Sequence, residues 1–157
     1  AAPRRAWSAV RGAVPVPRPA GGAQVVLPAA LLASRGSYAP DTGPKGGTGA
    51  GNKGGQFCTA QGNILAGPAV VDGMVEAFEK TEGHLSYRLL AALDAGQKAG
   101  GDTRGMQSAA MIIVKKGGGG WLNNDVVVRL QVDDNPEPLK ELRRLVDLAA
   151  KQRNRKD

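Results

Sequence analysis

The stretch SAAMIIVKKGGGGWLNNDVVVRLQV, residues 108–132, decides how the rest of the chain is read. Its first part, 108–116, is centred on the unbroken apolar run Ala109, Ala110, Met111, Ile112, Ile113 and Val114. Such a run predicts a strand covered on both faces. Gly117 to Gly120 then make a turn. Over 125–132 the chain alternates, with Val126, Val128, Leu130 and Val132 set against Val127, Arg129 and Gln131. That period of two marks a half-buried strand. Two strands joined by a Gly-rich connection read as a hairpin.

Working outward, Pro136 and Pro138 break the chain and open a helix over about 137–151, whose apolar stripe is Leu139, Leu142, Leu145, Val146 and Ala149. Lys151, Arg153, Arg155 and Lys156 suit its C-terminal end, where positive charge meets the helix dipole. On the other side of the hairpin two helices are expected. One begins at Pro68, a residue suited to the first helical position, and repeats Val70, Val71, Met74, Val75 and Phe78 at helical spacing through about residue 80. The other covers about 85–99, with Leu85, Leu89, Ala92, Leu93 and Gly96 along one side, and ends at Gly100-Gly101. The order helix, helix, strand, strand, helix is an α+β pattern. A lone hairpin leaves sheet edges open, so the first part of the chain or another subunit must complete the sheet, and a homo-oligomer is expected.

The chain divides by composition. Residues 1–55 are an irregular, basic segment rich in Gly, Pro and Ala; only 24–33 offers a short strand or helix, and 41–55, with its many glycines, reads as loop. Residues 1–58 hold seven basic residues and one acidic, net +6, while residues 59–157 hold fourteen and thirteen, net +1. The excess charge is dispersed arginine without interleaved aromatics, which makes a nucleic-acid site a poor candidate despite the non-specific pull of a basic chain. No run approaches the roughly 20 apolar residues of a membrane span, so no membrane association is expected. Pro15, Pro17 and Pro19 fall where a signal peptide needs its apolar centre. The single Cys58 excludes an internal disulfide framework and fits a reducing, cytoplasmic setting. One Cys and one His (His84) are too few for a protein-only zinc site. No metal and no cofactor is expected.

Three segments carry a resemblance. Gln61-Gly62-Asn63-Ile64-Leu65-Ala66-Gly67 is the first. Ala95-Gly96-Gln97, Gly100-Gly101-Asp102-Thr103-Arg104-Gly105 and Gln107-Ser108-Ala109-Ala110 make the second. Val132-Asp133-Asp134-Asn135-Pro136, with the Leu-Arg-Arg-Leu helix after it, is the third. In this order they resemble the domain-of-unknown-function 1028 family, which is grouped with the N-terminal-nucleophile (Ntn) hydrolases. The resemblance implies half, or a variant, of an Ntn-hydrolase-like αββα sandwich, and a relative of amide-bond hydrolases. It covers residues 56–157 as the C-terminal part of the domain. Residues 1–40 do not look like the strand-rich segment with which the family begins. Either a shifted reading frame or divergence and reuse of a half domain accounts for that.

Ntn chemistry requires a Thr, Ser or Cys whose own α-amine acts as its base. This chain starts with Ala1, and cleavage before Cys58 would be needed to expose a Cys, so it is expected to lack its own nucleophile. The bland reading of Cys58 is a small buried hydrophobe. On the resemblance, Asp102, Arg104 and Ser108 are the candidate catalytic group, with Asp102 and Arg104 orienting a small polar ligand and Ser108 donating to it. Gln61, Asn63 and Gln107 are the candidate ligand-binding residues, since side-chain amides can face an oxyanion. The competing reading is structural: Asp102 braces the turn, Arg104 pairs with it, and Gln107 ties down loop backbone. Asp133 and Asp134 could face a hard cation, but a role at the start of the last helix fits better. His84 reads as a surface residue or weak helix cap. The Gly-rich run 43–55 lacks the Gly-Lys-Ser/Thr ending of a phosphate loop. A non-catalytic binding or scaffold domain therefore stands beside the hydrolase relative as the second functional reading.

Overall fold

A computed structural model of the chain describes residues 29–33, 49–120 and 124–153. The expected irregularity of 1–28 and 34–48, the hairpin tip at 121–123, and Arg155 and Lys156 of the basic cluster lie outside the described residues. The elements run β1 (Ala29–Ala33), β2 (Gly51–Gly54), β3 (Cys58–Gly62), α1 (Ala69–Lys80), α2 (Leu85–Lys98), β4 (Ala109–Val114), β5 (Val126–Val132) and α3 (Pro138–Arg153). Among the described residues three helices and two small antiparallel sheets make an α+β fold.

Both predicted helices before the hairpin form. In α1 the residues Val70, Val71, Met74, Val75 and Phe78 are all buried. Each side chain of that size contributes about 1.5–3 kcal/mol on full burial. The helix stops at Thr81, whose N–H and Oγ1 both donate to Ala77 O. Arg88 secures the same end: its Nε and Nη2 donate to Phe78 O, and its guanidinium lies 4.2 Å from the centre of the Phe78 ring. His84 is the N-cap of α2, accepting from Ser86 N–H through Nδ1. A helix-interior glycine costs about 1 kcal/mol relative to Ala. Gly96 is there because a Cβ on it would sit 2.8 Å from Met74 Cγ, so the two helices approach as closely as they do only over a glycine.

Two apolar clusters share α2. The first joins Cys58 and Ala60 of β3 to the buried face of α1 and to Ala92. The second joins Leu90, Met111, Val132, Leu142 and Val146. Leu89 and Leu93 touch both. The predicted α2 stripe is therefore only half the story: Leu90 points to the second cluster, and α2 works as a wall between two cores.

Three differences from the sequence reading stand out. Gly51–Gly54, inside the stretch read as loop, pairs with β3, which also pairs with β1. The early part of the chain thus does supply strands, but it supplies them to β3; the β4–β5 hairpin remains two-stranded among the described residues. Finally, β4 is not covered on both faces. Met111 and Ile113 turn inward to the second cluster, whereas Ile112 and Val114 are 60% and 62% exposed. The reason is that helices α2 and α3 lie against only one side of this sheet.

Candidate functional site

The end of β3 and the end of α2 are sewn together by backbone. Ala66 N–H donates to Gly101 O (3.0 Å), Thr103 N–H donates to Ile64 O (3.0 Å), and Leu65 and Asp102 form an isolated antiparallel bridge. Thr103 Oγ1 also donates to Ile64 O at 3.2 Å. On the far side of Leu65, its N–H donates to Gly49 O (3.0 Å). Three separate pieces of chain thus meet at one point, and Leu65 is buried at their centre.

The stitching sets unusual backbone. Gly100 and Gly101 leave α2 with φ of 113° and 56°, which suits glycine. Ile64 has φ 56°, a conformation a β-branched side chain adopts only under constraint. Such strain costs on the order of 1–3 kcal/mol and is characteristic of functional sites and ligand clamps. Here the two bonds from Thr103 and the bond at Leu65 hold it.

Asp102 sits at the middle of this junction with its side chain fully buried. Its Oδ1 accepts from Arg104 N–H (2.7 Å) and Nε (2.9 Å), and its Oδ2 accepts from Arg104 Nη2 (2.6 Å). Gly105 N–H closes the turn onto Asp102 O. The hydrogen bond from the Arg104 side chain holds the Asp102 carboxyl below the ordinary aspartate range, against the opposing effect of burial. Both oxygens are therefore occupied by a permanently ionised partner, and the group is a fixed anion. The Arg104 side chain keeps 30% of its surface in water.

The other candidates are placed nearby but not on Asp102. Gln61 is exposed on β3, between Asn52 of β2 and Ala30 of β1, and Asn63 is exposed in the bend after it. Gln107 donates from Nε2 to Asp134 Oδ1 (3.2 Å), and its carbonyl accepts from Asn135 N–H (2.9 Å). Gln107 thus ties the strip after the Asp102 turn to the third motif, with its side chain on an Asp134 side chain rather than on loop backbone. Ser108 is half-buried at the entrance to β4, and its hydroxyl has no hydrogen-bond partner among the described residues. No side-chain hydrogen bond joins Gln61, Asn63, Gln107 or Ser108 to Asp102 or Arg104 among the described residues.

Asp133 and Asp134 do not cap the last helix. Asn135 Oδ1 accepts from Glu137 N–H (2.8 Å) and closes a turn just before α3. Asp133 accepts from Gln131, and Asp134 adopts φ 46°, which aspartate tolerates. No group of three metal-ligating side chains occurs among the described residues, and no helix among them is long and apolar enough to cross a membrane.

Cys58 is wholly buried in the first cluster. Burial pushes its thiol up, and the Glu79 carboxylate adds to that. The native thiol should therefore react with an aromatic disulfide reagent at least about 100-fold more slowly than in the urea-unfolded chain, since access requires opening the core. Rapid labelling of the native protein would count against this burial.

The family model described as a family of unknown function (DUF1028) matches residues 28–142. That span starts well upstream of residue 56 and takes in β1 and β2. A crystal structure of a Silicibacter pomeroyi protein, described with the same family, is similar at 31% sequence identity and a TM-score of 0.53. The likeness covers 64% of this chain and 41% of that one, so the match spans about two fifths of that protein's length. No curated protein matches the chain.

Proposed function

The chain belongs to the DUF1028 family of unknown function, and on that premise we propose that it is part of an Ntn-hydrolase-like αββα domain, related to amide-bond hydrolases, that binds a small polar ligand without supplying the nucleophile. The described elements form the C-terminal part of that domain, with β1 and β2 attached to it. The ligand platform is the strip from Gln61 to Ala66 laid against the Asp102–Ser108 turn.

One observation carries this reading: Asp102 is completely engaged by Arg104. A general base needs a free lone pair and a pKa near the working pH. Asp102 has neither, since its partner drives the pKa down. Ser108, in turn, has no hydrogen-bonded base to activate it among the described residues. What the turn does offer is a guanidinium held in a fixed orientation and partly open to solvent. A planar cation fixed in this way favours a carboxylate or an amide carbonyl. The exposed amides of Gln61 and Asn63 flank the same stitched junction.

Titration calorimetry with succinate, glutamate and N-acetylglycine, run beside a chromogenic amide-hydrolysis assay, tests this. Binding without turnover is expected, weakened about tenfold, or 1.4 kcal/mol, by Asn63→Ala or Gln61→Ala. Both residues are exposed, so these variants should melt as the parent does. Turnover abolished by Ser108→Ala would make the chain a hydrolase in its own right and overturn the proposal. So would binding that both amide variants leave intact.

A further inference from the structure

We propose that two copies of this chain pair through the free edges of β4, antiparallel about a two-fold axis, to make one four-stranded sheet ordered β5-β4-β4-β5. The starting observation is an edge without protection. Exposed strand edges normally carry charge, proline or a distorting bulge that discourages pairing. β4 reads AAMIIV, with no charged residue and no proline. Its irregularity between Ile113 and Val114 lies in its pairing with β5. Among the described residues no third strand joins this sheet. β5, by contrast, carries Arg129.

The open face of the same strand continues the argument. Ile112 and Val114 are 60% and 62% exposed, and Val127 on β5 is 37% exposed. A second copy brought to the edge sets its own Ile112 and Val114 beside these, so a single apolar strip runs across the join.

Charge selects the second copy and its direction. The hairpin end of the sheet carries Lys115 and Lys116, both exposed. The opposite end carries Asp133 and Asp134, with Gln107 bonded to Asp134. Pairing centred on Ile112 keeps the open face of both copies on one side and sets Lys116 of one copy across from Ser108 of the other, at the end where Asp133 and Asp134 lie. The arrangement is self-complementary, as a two-fold interface must be. A parallel pairing would bring lysine to lysine.

Sedimentation velocity at micromolar concentration, with light scattering for mass, decides it. A dimer of twice the 16.2 kDa chain is expected. Ile112→Lys should return the monomer with its folded circular-dichroism spectrum kept, because the side chain is largely in water in the single chain. Lys116→Glu should weaken the dimer about tenfold, and raised salt should weaken it in the same direction. A parent that stays monomeric, its open face then being left to some other protein, would overturn the proposal. A dimer that survives both Ile112→Lys and Val114→Lys would overturn it too. Ligand binding is read separately through Gln61 and Asn63, which belong to the β3 strip and take no part in the join.

Discussion

Asp102→Ala is expected to destabilise the folded chain by about 2 kcal/mol, seen as a lower urea midpoint with an unchanged slope. The carboxylate is buried and accepts three hydrogen bonds, one of them from the main chain of Arg104. Removing one member of a fully buried pair costs roughly 3–5 kcal/mol. The cost is smaller here because the Arg104 side chain is 30% exposed and water can reach it once its partner is gone. The main-chain N–H of Arg104 loses its acceptor as well. Asp102→Asn keeps the shape and one acceptor and should recover part of the loss. A change under about 0.5 kcal/mol for the Ala variant would mean that the turn is held by its backbone bonds alone.

The same pair fixes a pH dependence. Asp102 is depressed in the folded state, while the unfolded value is about 3.9. The unfolded chain therefore binds the proton first as pH falls. The contribution is fully present above about pH 5 and is lost progressively below about pH 4, as the pH falls through the lower folded value. In Asp102→Asn that slope should flatten. Acid unfolding profiles of parent and variant that run parallel below pH 4 would remove the pair from the account of acid stability.

Where the sequence could be read, it was read through periodicity. The α1 stripe and the β4–β5 hairpin announce themselves because each buries one face, and one buried face leaves a regular apolar spacing. β2 and β3 have no such spacing. GNKG and CTAQG become strands because β3 lies between β1 and β2 and its ladder satisfies their backbone groups, a fact of tertiary pairing that no local pattern carries. The misplaced burial of β4 has a similar origin. An unbroken apolar run states that both faces can be covered, and among the described residues only one of them is.

At the site the division is sharper. Asp102 and Arg104, two residues apart in a Gly-bounded turn, could be paired from the sequence, and the structural reading of them is what the geometry displays. Ile64 could not. A β-branched residue is among the last to expect at φ 56°, and it stands there because Thr103, 39 positions on, holds its carbonyl twice. The turn that Asn135 closes on Glu137 was hidden by its neighbours, since two aspartates look like the better residues for entry to the helix until Asp134 turns to left-handed backbone.

Gly49→Ala carries the other large effect, about 3 kcal/mol of destabilisation. Nothing in the Gly-rich run marks this residue out, yet it is where that run joins the site. Its φ is +80°, which an L side chain rarely adopts, and a Cβ there would lie 2.5 Å from Leu65 O and 3.0 Å from Leu65 N. Neither atom can move cheaply. Leu65 N–H is bonded to Gly49 O, Leu65 is bridged to Asp102, and its side chain is buried in the first cluster. Relief of the clash must therefore shift Leu65 and, through it, the Asp102 turn. That gives the variant a signature beyond lost stability: any ligand affinity measured at the turn should fall with it. Gly54→Ala makes the matching control, since a Cβ at Gly54 meets nothing within 4 Å and its φ is not in the positive range. If Gly49→Ala unfolds no earlier than Gly54→Ala, then Gly49 does not close on Leu65, and the Gly-rich run is not a wall of the site.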